Sequence, residues 1–299
     1  MADILAGMIR TATPILLAAL GGLLCEQAGV LNIALEGMML FGAFFGVWGM
    51  AITGSVPFAI LFALAIGGIA GFLYVFLVEK LHTNPTITSI GMNVFAAGLT
   101  TYLMKIVFGD AGSVGTEGIV GLPKINIPFL QKIPFLGAIF SGHTVLVYVS
   151  ILLVILISFI LYRTNIGINL RSVGEKPIAA AAAGISINKY RMGAVIIGGM
   201  LCGLAGVHLS LGYVKLFSEG MTAGRGFFAY TAVVFGSATP IGALIASMVF
   251  GLAETFTYRV QQMGIPGPLV LTVPYLITIL ALITRSVRFT NKQKKVKQI

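Results

Sequence analysis

Between Gly37 and Val78 the chain reads GMMLFGAFFGVWGMAITGSVPFAILFALAIGGIAGFLYVFLV, two span lengths without a charged residue. A helix needs about 20 apolar residues to cross a bilayer. The one interruption is Thr53-Gly54-Ser55-Val56-Pro57, whose Gly, Ser and Pro favour a turn. The stretch therefore predicts a helical hairpin in lipid. Of 299 residues, 58% are hydrophobic and only 9% charged, against about 25% charged in an ordinary soluble domain. So few charges cannot cover a water-exposed surface. The chain is expected to be an all-α, polytopic membrane bundle of about 8–10 transmembrane helices, counting short or re-entrant segments. Disorder, collagen and nucleic-acid binding are excluded, although the net charge is +10.

Outward from that hairpin, uncharged runs mark Thr11–Cys25, Thr86–Met104, Thr144–Tyr162, Met192–Gly212, Gly226–Ala253 and Pro268–Thr284 as further candidates. Thr11–Cys25 is short and carries Pro14, which makes it the weakest. The charge excess sits in two places. Residues 163–191 carry Arg163, Arg171, Lys176, Lys189 and Arg191 against Glu175 alone, and residues 285–299 are basic with no acid. Lys/Arg bias marks the cytosolic side, and a basic tail also suits anionic lipid. The expected organisation is one transmembrane domain over 1–284, a cytosolic loop at 163–191 and a basic cytosolic tail at 285–299. Parity then requires Gly226–Ala253 to reverse at Gly236-Ser237-Ala238-Thr239-Pro240. The Lys105–Gly142 loop falls outside as an irregular cap, and so does the N-terminus if Thr11–Cys25 crosses. Lys215, Glu219 and Arg225 fall in an outer loop, facing a partner or water, with Glu254 and Arg259 at the outer interface. No cleavable signal peptide is evident.

Small-xxx-small pairs at Gly42/Gly46, Gly67/Gly71 and Gly199/Gly203 let helices approach closely, within the chain or between subunits. Cys25 and Cys202 lie in apolar segments without metal spacing and read as packing residues. No G-x-x-x-x-G-K-[ST], H-E-x-x-H or G-x-S-x-G occurs, and the histidines at 82, 143 and 208 are scattered. An enzyme is not expected, nor a metal or a cofactor on this chain. Uphill transport would need another subunit for energy.

Three motifs carry a resemblance. The first is Glu26-Gln27-Ala28-Gly29-Val30-Leu31-Asn32-Ile33-Ala34-Leu35-Glu36-Gly37-Met38-Met39. The second is Leu170-Arg171-Ser172-Val173-Gly174-Glu175-Lys176-Pro177, followed by Ile178, the alanines 179–183, Gly184 and Ile185. Proline in the first turn followed by an alanine run predicts a short, strong helix, with Gly184 after its C-terminus. The third runs from Gly220 through Gly224-Arg225-Gly226-Phe227 to Phe235-Gly236. Together they resemble the permease subunits of ABC importers for branched-chain amino acids, ribose-type sugars and nucleosides. Within that family they are most similar to the simple-sugar/nucleoside branch, including guanosine-uptake permeases. Ser237-Ala238-Thr239-Pro240 departs from the larger polar or aromatic pair before Asn-Pro that is usual there.

The resemblance implies import of nucleosides, purine nucleosides such as guanosine first, with ribose- or galactose-type sugars as the alternative. It implies a second homologous permease, an ABC ATPase that binds ATP-Mg, and an extracytoplasmic substrate-binding lipoprotein or soluble protein, all at the cell membrane. It also implies that Arg171, Gly174, Glu175, Pro177, Ala179, Ala180, Gly184 and Ile185 form the loop that docks on the ATPase. An ion-coupled transporter and a membrane scaffold are the rival classes. Candidates for the translocation path are Asn32, Glu36, Phe41, Phe44, Trp48 and Asn93. Asn32 and Glu36 share a helix face and either line a path or lock a bend. Asn93 bonds either a substrate or a neighbouring helix. Phe41, Phe44, Phe45 and Trp48 form one helical face that stacks on a nucleobase or packs on lipid or protein.

Overall fold

A computed structural model describes residues 2–109, 112–115, 120–128 and 134–262. The expected span Pro268–Thr284 and the tail 285–299 lie outside the described residues. Helices run in the order α1 (Ala2–Gln27), α2 (Leu35–Thr53), α3 (Val56–Val75), α4 (Pro85–Phe108), α5 (Pro134–Phe140), α6 (Val145–Arg163), α7 (Asn165–Glu175), α8 (Pro177–Ala182), α9 (Ile187–Val207), α10 (Arg225–Phe235) and α11 (Pro240–Gln262). The wider π form prolongs α3 over Phe76–Lys80 and α9 over His208–Val214. Two small antiparallel ladders link the loops at one end. Strand β1 (Ser113–Val114) pairs with β4 (Phe217–Ser218), and β2 (Lys124–Ile125) pairs with β3 (His143–Thr144). Among the described residues, seven helices are long and apolar enough to cross a membrane, and Arg225–Phe235 is a shorter apolar one.

The expected hairpin is α2 and α3. Gly54 ends α2 in the left-handed region (φ 64°), and Pro57 starts α3 within its first turn. At α4, Asn84 accepts from the backbone N–H of Thr86 (3.0 Å) and Ile87 (3.2 Å), satisfying donors the helix leaves free. The expected reversal is also present: α10 stops at Phe235 and α11 starts at Pro240.

The reading of Thr11–Cys25 as a short, weak span is corrected. It is the middle of a 26-residue helix that passes through the centre of the bundle, with Ile15, Leu17, Leu20 and Leu23 fully buried. Its polar residues Thr11 and Thr13 are buried with their hydroxyls bonded, Thr11 to the Gly251 carbonyl at 2.7 Å, while Asp3 and Arg10 stay exposed. The 105–142 region is likewise not wholly irregular, since α4 extends to Phe108 and α5 forms before β3.

Glycine contacts set the helix directions. Gly21 of α1 lies against Gly198 of α9, where an added Cβ would stand 2.5 Å from the carbonyl oxygen. Gly42 faces Gly203 and Gly46 faces Val207, so α2 runs parallel to α9. Gly67 faces Gly199 and Gly71 faces Val195, so α3 runs antiparallel to it. The same relations recur around α1. Gly22 faces Val233 and Gln27 reaches Ala238, placing α10 parallel, while Gly7 and Ala12 meet Thr255 and Gly251, placing α11 antiparallel. Thus α1–α3 and α9–α11 form two like halves of opposite direction, meeting at Gly21 and Gly198. Their reversals read alike, Gly54-Ser55-Val56-Pro57 and Gly236-Ser237-Ala238-Thr239-Pro240. Both α2 and α10 start inside the bundle; the irregular bend 28–34 before α2 is mostly buried, whereas 215–224 before α10 includes β4 and keeps Lys215, Glu219 and Ala223 exposed. Irregular backbone at membrane depth persists where protein surrounds it.

Candidate functional site: the basic segment and the buried bend

The basic segment folds as two helices at one end of the bundle. Thr164 caps α7, accepting from Gly167 N at 3.3 Å. Its apolar side, Leu170 and Val173, is buried, while Ile166 and Ile168 are exposed. Pro177 opens α8, and Gly184 follows it at φ 79°. The Arg171 guanidinium lies 5.2 Å over the Tyr162 ring. Glu175, Ala179, Ala180 and Ile185 are brought together, with Ser172, Lys176 and Ala183, around a groove of about 250 Å³. Gly174 is different: it faces inward, against the backbone of Gln27 and Gly29. Ile178, part of the second motif but not among the candidates drawn from it, is 87% exposed at the tip of α8. A β-branched apolar side chain held out from a short helix was the signal available.

The bend at 28–36 sits directly behind this segment. Arg191 ties it down, donating from Nε to the Ala28 carbonyl (3.3 Å) and from Nη1 to both Glu79 oxygens (3.0 and 3.1 Å). Asn32, 2% exposed, accepts from Ala34 N at 2.9 Å and so closes the turn. The Ser89 hydroxyl accepts from Ile33 N at 3.1 Å, and Tyr74 donates to the Leu31 carbonyl at 2.5 Å. Asn93 brackets the end of the bend, donating to the Ile33 carbonyl (3.2 Å) and accepting from Gly37 N (2.8 Å). Glu36 reaches across to the other half: one oxygen accepts from Gly224 N (2.8 Å) and the other from Gly226 N (2.6 Å). These amides begin α10, whose dipole favours a carboxylate there. The polar candidates are thus brought together, each bonding backbone of this chain. The expected shared helix face of Asn32 and Glu36 is corrected: Asn32 lies in the irregular bend before α2 and Glu36 in its first turn.

The aromatic candidates lie further along α2. Phe44 is fully buried, with rings of Phe45, Trp48, Phe108 and Phe217 centred 5.2–6.2 Å away. Phe41 is 4% exposed and edge-on to Phe95, while Trp48 is half-buried against Phe45 and Phe62. Placing Arg225 in an open outer loop is corrected. Its guanidinium is ion-paired with Glu254 and bonded to the Tyr258 hydroxyl (2.8 Å), with the two charged side chains only 11% and 14% exposed. Burial leaves each charge dependent on the other, so Glu254 is no free interfacial group either. Cys25 and Cys202 are buried and free.

A family model described as "Branched-chain amino acid transport system / permease component" matches residues 4–282. The chain belongs to this permease family. The permease is 36% identical to the guanosine ABC transporter permease protein NupQ of Bacillus subtilis, over 91% of this chain and 88% of that one. It is 32% identical to the nucleoside ABC transporter permease protein NupC of Lactococcus lactis, over 93% and 90% of the two chains. It is also 36% identical to TsgC13 of Haloferax volcanii, provisionally named a glucose ABC transporter permease protein, over 94% and 91%. No solved structure matches the permease.

Proposed function

We propose that this permease is the membrane-spanning subunit of an ATP-driven importer of nucleosides, with purine nucleosides such as guanosine as the leading substrates. The observation that carries the substrate is the similarity, over nearly the whole of both chains, to NupQ and NupC. The equal identity to TsgC13 favours simple sugars as the second reading. On this reading a second homologous permease completes the path, a binding protein delivers substrate outside, and a separate ATPase holds ATP-Mg. The 165–185 segment docks on that ATPase; the exposed tip at Ile178 and the groove beside it support this role. Residues 28–34 with Asn93 form a wall of the path at mid-depth, and the rings of Phe41, Phe44 and Trp48 back that wall.

Deletion of the gene in its own host tests the substrate. Uptake of labelled guanosine should fall to background and return on complementation, with glucose uptake unchanged. Loss of glucose uptake alone would install the sugar reading instead.

A further inference from the structure

In the two halves of opposite direction, Glu36 and Gly226 hold like places, each the second residue of a helix that starts inside the bundle. They also touch. A Cβ at Gly226 would fall on the Glu36 backbone, and the Glu36 carboxylate takes the amides of both Gly224 and Gly226. The halves are therefore joined by a charge-assisted pair of hydrogen bonds, the stronger kind. On one side of this junction the bend 28–36 runs back to Gly29, where an added Cβ would stand 3.0 Å from the Gly174 Cα in the docking segment. On the other side lies the loop 215–224, held to the far end of the bundle by the pairing of β4 with β1. One connected series of backbone contacts thus runs from the docking segment to the opposite face through a single side chain.

We infer that Glu36 is a positioning residue for coupling, holding the start of α10 and the loop before it in register with the bend that seats on Gly174. Glu36 acts through backbone amides rather than by touching substrate. The inference rests on the importer reading for its coupling role, but the clamp itself does not. Contiguity alone does not establish coupling, so the test reads coupling directly.

The complete importer, with ATPase, both permeases and binding protein, is reconstituted in nanodiscs with Glu36→Gln or Glu36→Asp. A glutamine offers one acceptor oxygen and no charge; an aspartate keeps the charge on a shorter stem. Amide hydrogen exchange over 217–226 should quicken on the order of ten-fold in Glu36→Gln and less in Glu36→Asp. Basal ATP hydrolysis should stay within about two-fold of wild type, as expected for a residue outside the ATPase. Stimulation by guanosine-loaded binding protein should be lost in Glu36→Gln and partial in Glu36→Asp. Wild-type stimulation in Glu36→Gln, or unchanged exchange, would overturn the inference. If Glu36→Gln does not assemble, Glu36→Asp decides on the same two readings. A wild-type complex that imports neither nucleoside nor glucose would overturn the importer reading and the coupling role with it, while exchange still reports the clamp.

Discussion

Gly174 and Gln27 meet backbone to backbone: no Cβ fits at Gly174 without displacing the Gln27 carbonyl. Helix α7 is thus seated directly on the end of α1.

Gly174→Ala should unseat it. We expect the variant to insert at normal levels but to lose about ten-fold or more of ATP-driven uptake, because a packed backbone contact has no flexible side chain to yield. Gly193→Ala, where an added Cβ meets nothing within 4 Å, is the control and should transport normally. Uptake per inserted permease distinguishes them, and equal rates would contradict the seating.

Ile178 is exposed in the isolated permease, so Ile178→Asp should leave its melting temperature within a degree or two. Co-purification of the ATPase should drop, by roughly ten-fold if about 1.4 kcal/mol of a buried apolar contact is lost. Full retention of the ATPase would place the docking contact elsewhere.

Arg225 and Glu254 predict a non-additive pair. Arg225→Met or Glu254→Leu alone strands a buried charge and should cost about 3–5 kcal/mol. The double variant should recover much of that loss. Thermal unfolding of the four proteins in detergent measures the coupling, and additive losses would contradict the pairing.

Phe44→Ala removes a fully buried ring and should cost about 3–5 kcal/mol of stability. Uptake of nucleoside and of sugar should then fall together, following the amount of folded permease. A loss confined to nucleosides would instead assign Phe44 to base stacking.

Much of the bundle was legible because lipid makes apolar length a direct signal. The Gly37–Val78 hairpin and the α10–α11 reversal follow from runs, breaks and charge parity. The short helix after Pro177 was legible from proline and alanines alone. What escaped was tertiary. The central place of α1 was hidden because its partners, α9, α10 and α11, lie far along the chain. Arg225 read as an outer-loop charge and Glu254 as an interfacial one until the fold set them side by side. Glu36 read as lining a path or locking a bend, yet its partners are backbone amides of two glycines, which no side-chain pattern announces. The aromatic face on α2 was correctly placed on one side of the helix. Periodicity could not say that Phe108 and Phe217 would cover it.

The central claim is ATP-driven nucleoside import through this permease. It is tested most directly by proteoliposomes that hold the permease, its partner permease and the ATPase, with binding protein outside and ATP inside. Labelled guanosine should accumulate above its external concentration only with ATP, and an imposed ion gradient should not replace the nucleotide. Accumulation driven by an ion gradient without ATP, or ATP-driven accumulation of glucose with none of guanosine, would contradict the account.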